Sequence, residues 1–181
     1  MKASIPMVAI VQDVHRKFTD RNAFQEMDHF ALFSGVSKWV RRVADVDRID
    51  DYVDMAFTAA ASGRGGPAVL MVPVDVLDER PELSPDAPRR QADLGRFPLD
   101  RMGADPARVA EAAALLAGAE RPVVIAGGGV HASGAVAELG ALQDMGLPVA
   151  TTVMGKGAVA ETHPLSLGVV GYFMAPGSRS S

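Results

Sequence analysis

The chain is 181 residues long, enough for one ordinary domain or two small ones, and carries a net charge of −4. With Lys and Arg outnumbered by Asp and Glu, there is no basic surplus to neutralise phosphate backbones, which argues against nucleic-acid binding. Hydrophobic residues at 48% against charged residues at 22% exclude wholesale disorder, and the absence of cysteine excludes disulfides, a thiol nucleophile and cysteine-ligated metals. Aromatics are only 6%, so the core falls to Ala, Val, Leu, Ile and Met, the composition of α/β proteins. No apolar run approaches the roughly 18 to 20 residues of a membrane span, and the one before Gln12 is too short for a signal peptide, so a soluble cytoplasmic chain with no membrane contact is expected.

Met7 to Val11 is a continuous apolar run rich in β-branched residues, which predicts a parallel strand buried on both faces. A polar stretch follows, then a short helix or turn around residues 23–30 and an extended segment at residues 37–40. Ile49, Tyr52, Val53, Ala56, Phe57 and Ala60 recur at helical spacing, and Gly63 is a candidate C-cap. Gly65-Gly66-Pro67 breaks the chain before a second buried strand at residues 68–72, closed by Pro73. Residues 78–104 carry Pro81, Pro85, Pro88 and Pro98 without apolar periodicity and read as a linker.

At Asp105-Pro106 an acid at the N-cap and proline at the first helical position predict a helix over about 106–117. Residues 123–126 form a strand running into Gly127-Gly128-Gly129, followed by a helix from about Gly134 to Met145 and a strand at 148–152. The pattern is α/β, with two partial doubly wound parallel-sheet domains joined by a proline-rich linker. The expected boundaries are 1–77 for the first piece and 105–181 for the second.

Gly127-Gly128-Gly129, between a strand and a helix, is the most specific local feature. Lacking Cβ atoms, the turn can expose backbone N–H groups to a phosphate, or it can be a tight turn with no ligand. The full G-x-G-x-x-G spacing is absent. A second glycine loop, Met154-Gly155-Lys156-Gly157, follows the next strand and should face the same crevice, with Lys156 either a phosphate partner or a solvated lysine. His15, His29, His131 and His163 show no metal-ligand spacing, so no metal site is expected within the chain. Gln25 and Glu26 read as an exposed polar pair or as pocket lining, and Trp39 as a core or interface anchor beside a solvated Lys38.

Several segments in series carry a resemblance. Asn22 to Asp28, Val36 to Trp39, Ser62 to Val69 and Val72 to Val76 resemble the later part of the pyrimidine-binding domain of thiamine-diphosphate enzymes of the acetolactate synthase type. Arg121 to Gly129, Leu147 to Gly157 and His163 to Gly168 are similar to the first half of that family's central domain. The resemblance implies decarboxylation of a 2-keto acid, typically pyruvate, and transfer of the resulting carbanion or enamine to an acceptor, with thiamine diphosphate and Mg²⁺ as cofactors.

It also implies that Phe24 and Gln25 face the active-site pocket and that Gly127, Gly128, Gly129, Thr152, Val153, Met154, Val170 and Gly171 lie along an FAD that does no redox work. Val74 stands where the family carries a lysine, and Tyr172-Phe173 where it carries a Met-His pair. The family's catalytic glutamate and its Gly-Asp-Gly metal motif match no segment of the chain. The chain is therefore expected to be an internal piece of such an enzyme, inactive alone and prone to form a dimer, tetramer or larger oligomer. The alternatives are a non-catalytic module that binds FAD, NAD or a CoA nucleotide, and a structural remnant.

Overall fold

The computed structural model describes residues 3–81 and 92–171, and the chain divides into two compact units, Met1–Asp100 and Arg101–Ser181. Tyr172 and Phe173 lie outside the described residues.

The first unit contains strands β1 (Met7–Asp13), β2 (Trp39–Arg42) and β3 (Pro67–Pro73), with helices α1 (His29–Ser34), α2 (Ile49–Ala61) and α3 (Val74–Asp78). The three strands form one parallel sheet in the order β1-β3-β2, with Met7 opposite Pro67 and Trp39 opposite Ala68. Every residue of β3 after Pro67 is buried, as a central parallel strand covered on both faces requires. Leu70 and Val72 pack with Val43, Val76 and the α2 residues Ile49, Tyr52 and Val53, while Val69 and Met71 turn the other way against Val40, Val11 and Phe33 of α1. The alternation along β3 thus serves two layers, one helix on each face.

The sequence placed β1 in the same doubly buried position, and the structure does not. β1 pairs only with β3 among the described strands, Met7 and Ile10 are exposed, and Asp13 is its one fully buried residue. An unbroken apolar run does not distinguish a central strand from an edge strand. α2 starts and ends close to the expected bounds, but its C-cap is Ser62 in extended backbone, with Gly63 one residue further on at φ +55°.

The second unit contains α4 (Pro106–Ala117), β4 (Val124–Ala126), α5 (Gly129–Ser133), α6 (Val136–Asp144), β5 (Val149–Thr151) and β6 (Ser166–Val169). Its sheet is parallel in the order β4-β5-β6, around a core of Ala126, Leu139, Val149 and Ala158. α4 follows the expected bounds, capped by the Asp105 side chain on Ala107 N–H at 2.8 Å. The helix expected from Gly134 is instead two helices. Gly134 takes a left-handed φ of +69° and closes α5, so the glycine taken as a start is a stop. β6 was not anticipated, since Gly168 interrupts it at φ +73° and its apolar run is short.

Candidate functional site

In parallel sheets, ligands collect outside the carboxyl ends of the strands, where loops leave a crevice and backbone N–H groups point outward. In the first unit those ends are Asp13, Arg42 and Pro73. A cavity of about 610 Å³ opens there, lined by Asp13, Phe24, Gln25, Glu26, His29 and Val74 among others. A second hollow of about 590 Å³ shares Asp13, Glu26 and His29 and adds Arg42 and Thr19. The structure therefore brings Phe24 and Gln25 together at one cavity wall, with Val74 also lining it. Phe24 is 89% exposed, a large aromatic ring left open to the cavity and to solvent.

The loop carrying these two residues is held in an unusual backbone shape. Asp20, Asn22 and Gln25 all have positive φ, at +64°, +54° and +65°, a region that costs a side chain of this kind about 1 kcal/mol or more. Glu26 offsets that cost. Its carboxylate accepts the Asp20 N–H at 2.5 Å and the Ala23 N–H at 2.8 Å, folding the loop back on itself. The Ala23 and then the Asp20 N–H hold the Glu26 carboxyl below its ordinary range. Of the two readings of the Gln25-Glu26 pair, both side chains line the cavity, but the Glu26 oxygens are committed to the loop.

On the other side Asp75 fixes the segment after β1. It accepts the Arg16 backbone N–H at 2.9 Å and its Nε–H at 2.5 Å, and Arg16 also pairs with Glu79. Burial pushes the Asp75 carboxyl up, but the Arg16 N–H and guanidinium outweigh it and the net shift is downward.

The polar cluster missed in the sequence lines the second hollow, and two of its members also line the first. Asp13 and His29 are both buried, with Oδ1 of Asp13 3.3 Å from Nδ1 of His29 and Oδ2 2.7 Å from Nε of Arg42. The three residues come from β1, α1 and β2. The available signal was an acid terminating an apolar strand at Gln12-Asp13, the position where parallel sheets place functional groups.

In the second unit the carboxyl ends of β4, β5 and β6 run into Gly127 to Gly129, Thr152 to Met154, and Val170-Gly171. Thr152 N–H donates to the Ala126 carbonyl at 2.9 Å and Val170 N–H to the Thr151 carbonyl at 2.8 Å, which brings these segments to one edge of the sheet. A Cβ at Gly155 would overlap the Ala126 carbonyl, and one at Gly128 would come within 3.1 Å of the Met154 Cβ. Chain packing therefore accounts for those two glycines, whereas Gly129 faces open space. Val153 and Met154 are largely exposed beside the turn. Lys156, which stood open between a phosphate partner and a solvated lysine, is paired with Glu161 at 2.6 Å. Trp39 is half-buried against the core under α2, with Arg41 over its ring, while Lys38 donates to the Ser62 carbonyl. Among the described residues, no group of three or more His, Asp or Glu is placed to hold a metal ion. No helix of the described residues is long and apolar enough to cross a membrane.

Two parallel sheets, each with its loops gathered at the strand carboxyl ends, define the α/β class. Comparison with known proteins goes further. Residues 109–180, within the second unit, match the thiamine pyrophosphate enzyme central domain. Over 169 residues, 93% of the chain, it is 38% identical to a probable acetolactate synthase large subunit of Methanocaldococcus jannaschii, covering 28% of that protein. It is 36% identical to an acetolactate synthase of Arthrospira platensis, covering 29%, and 32% identical to a glyoxylate carboligase of Escherichia coli O157:H7, covering 28%. The second unit is thus similar to the thiamine pyrophosphate enzyme central domain, and the chain as a whole to one stretch of acetolactate synthase-type proteins. The chain spans a little over a quarter of the length of these relatives.

Proposed function

We propose that the chain supplies part of the substrate pocket and part of the central domain of a thiamine-diphosphate-dependent carboligase or decarboxylase acting on pyruvate or a similar 2-keto acid. The observation that carries this reading is the cavity at the carboxyl ends of β1 to β3, where Phe24 and Gln25 share one wall. On this reading residues 1–77 are the end of the pyrimidine-binding domain, 78–104 the linker and 105–181 the start of the central domain.

Thiamine diphosphate, when bound, supplies the electron sink for decarboxylation. The chain's own residues orient and exclude. The Phe24 ring offers an apolar face to the substrate's methyl group, and the Gln25 amide offers a donor and an acceptor to its carboxylate or oxo group. The positive φ at Gln25, imposed by the Glu26 clasp, aims that amide. Val74 places an apolar wall where the family pattern has a lysine, and the consequence is a change in which acceptor is taken, not loss of the cavity. The described residues do not fit Mg²⁺, since no acidic cluster is present, and a divalent cation would take its ligands from outside them. The active assembly is a homo-oligomer.

A chimera tests this. We expect the Methanocaldococcus jannaschii relative, with its matched stretch replaced by this chain, to form an acetohydroxy acid from pyruvate in the presence of thiamine diphosphate and Mg²⁺. The 181 residues alone should form none. Robust turnover by the chain alone, or a folded but inactive chimera, would count against the reading.

Gly129, open to space in the turn after β4, favours a second reading in which the central unit holds a flavin or other nucleotide. A purified chain with absorbance near 450 nm would support it, and colourless protein that stays colourless after incubation with FAD and desalting would sink it.

A further inference from the structure

The Asp13, His29 and Arg42 cluster has no part in the function proposed above. In it a buried histidine sits beside a buried carboxylate. Asp13 Oδ1 accepts the Val14 N–H at 2.8 Å and faces His29 Nδ1 at 3.3 Å, while Oδ2 faces Arg42 Nε at 2.7 Å. Arg42 is itself anchored through Nη2 on the Val14 carbonyl and the Thr19 hydroxyl. The His29 ring stacks on Phe33, 6° from parallel, and the side chains of His29 and Asp13 are each 9% exposed. Neither His29 Nδ1 nor Arg42 Nε makes a well-directed hydrogen bond, so the three groups are held by charge and packing in a site that excludes most water.

A carboxylate beside Nδ1 draws the ring proton to that nitrogen, leaving Nε2 as the basic atom of the neutral imidazole. Other charges near the ring are already committed. Asp28, its neighbour on α1, caps Ala31 N–H, and Glu26, across the cavity, holds Asp20 and Ala23 N–H. His29 thus lines the cavity with its Nε2 outside the contacts that hold the ring.

We propose that His29 is a proton-transfer residue of this cavity, with Asp13 and Arg42 as its positioning residues. The proposal rests on the carboligase reading for the identity of the reacting group. As the donor carbon's electron pair forms the new C–C bond to the carbonyl carbon of an acceptor 2-oxo acid, the C=O π pair moves onto oxygen. That oxygen takes the proton from Nε2 of the His29 imidazolium and becomes a hydroxyl. The ring is left neutral with its remaining proton on Nδ1 toward Asp13, and solvent restores the Nε2 proton, so neither oxidant nor reductant is required.

Two measurements decide it. In the ¹⁵N-labelled 181-residue chain, imidazole NMR should show neutral His29 with its proton on Nδ1, and Asp13→Asn should return it to the Nε2–H form usual for histidine. An Nε2–H tautomer in the unaltered chain would overturn the dyad. In the active chimera, His29→Asn keeps a donor near Asp13 and removes Nε2. We expect kcat to fall at least about 100-fold with KM little changed and the pH dependence of kcat flattened. His29→Gln covers the case in which the asparagine variant fails to fold. An unaltered kcat and pH profile in a folded variant would overturn the proposal. A chimera inactive with the unaltered stretch would overturn the carboligase reading, and the tautomer measurement would still decide the dyad.

Discussion

At the scale of single residues, the cavity wall depends on a carboxylate that performs no chemistry. Glu26 holds three left-handed backbone positions in place through two N–H contacts, and its pKa is lowered by them. A lowered folded-state value means that its contribution is fully present above the unfolded value of about 4.3 and is lost as pH falls through the folded one. We therefore expect the Asp20 and Ala23 amides to lose exchange protection as pH falls from about 5 to about 3. Glu26→Gln should abolish that dependence and weaken whatever the Phe24-Gln25 wall binds. Hydrogen exchange measured across that range checks both. The Asp75 carboxyl, also lowered, loses its hold on Arg16 in the same direction.

Legibility in the sequence divides along similar lines. Phe24 and Gln25 were found through a resemblance, because nothing in their spacing marks an aromatic and an amide as pocket residues. Asp13, His29 and Arg42 escaped because they lie far apart in sequence and meet only when β1 and β2 flank β3 and α1 folds over them. A search for local spacing is blind to such a cluster.

At the scale of elements, periodicity and capping were read well where both were strong. Asp105-Pro106 gave the start of α4, and the apolar stripe gave α2. Burial was read less well. α4 has a periodic apolar pattern, yet no residue of it is buried, and Leu115 is 72% exposed. Periodicity reports that a face is built for contact and does not say what the face touches. The central strand is where energetic predictions are firmest. Leu70, 1% exposed, packs against Val43, Val72 and Val76, and Leu70→Ala should cost about 2–5 kcal/mol by denaturant unfolding of the first unit. In the second unit Gly155→Ala must push the turn after β5 away from the Ala126 carbonyl. A measurable loss of thermal stability is expected, and a chain that melts at an unchanged temperature would refute the packing account.

At the scale of the whole molecule, apolar surface is left in the open on both units. Ile10 on β1 and Ile125 on β4 are 68% and 65% exposed, and Met145 beyond α6 is 76% exposed. Surfaces of this kind associate unless something covers them. We expect the purified chain to be a dimer, a larger oligomer or poorly soluble, as read by light scattering. A clean monomer with one cooperative melt would contradict that expectation.

The strand order of the first unit also has a consequence in time. β1 and β2 touch β3 and not each other, and β3 is the last of the three to leave the ribosome. Among the described strands, β1 and β2 have no partner until β3 is synthesised, so the long segments between them must close into loops before these contacts are rewarded. Whatever binds the nascent Met7–Asp13 strand in that interval competes directly with the assembly of the cavity, because the same strand delivers Asp13 to it.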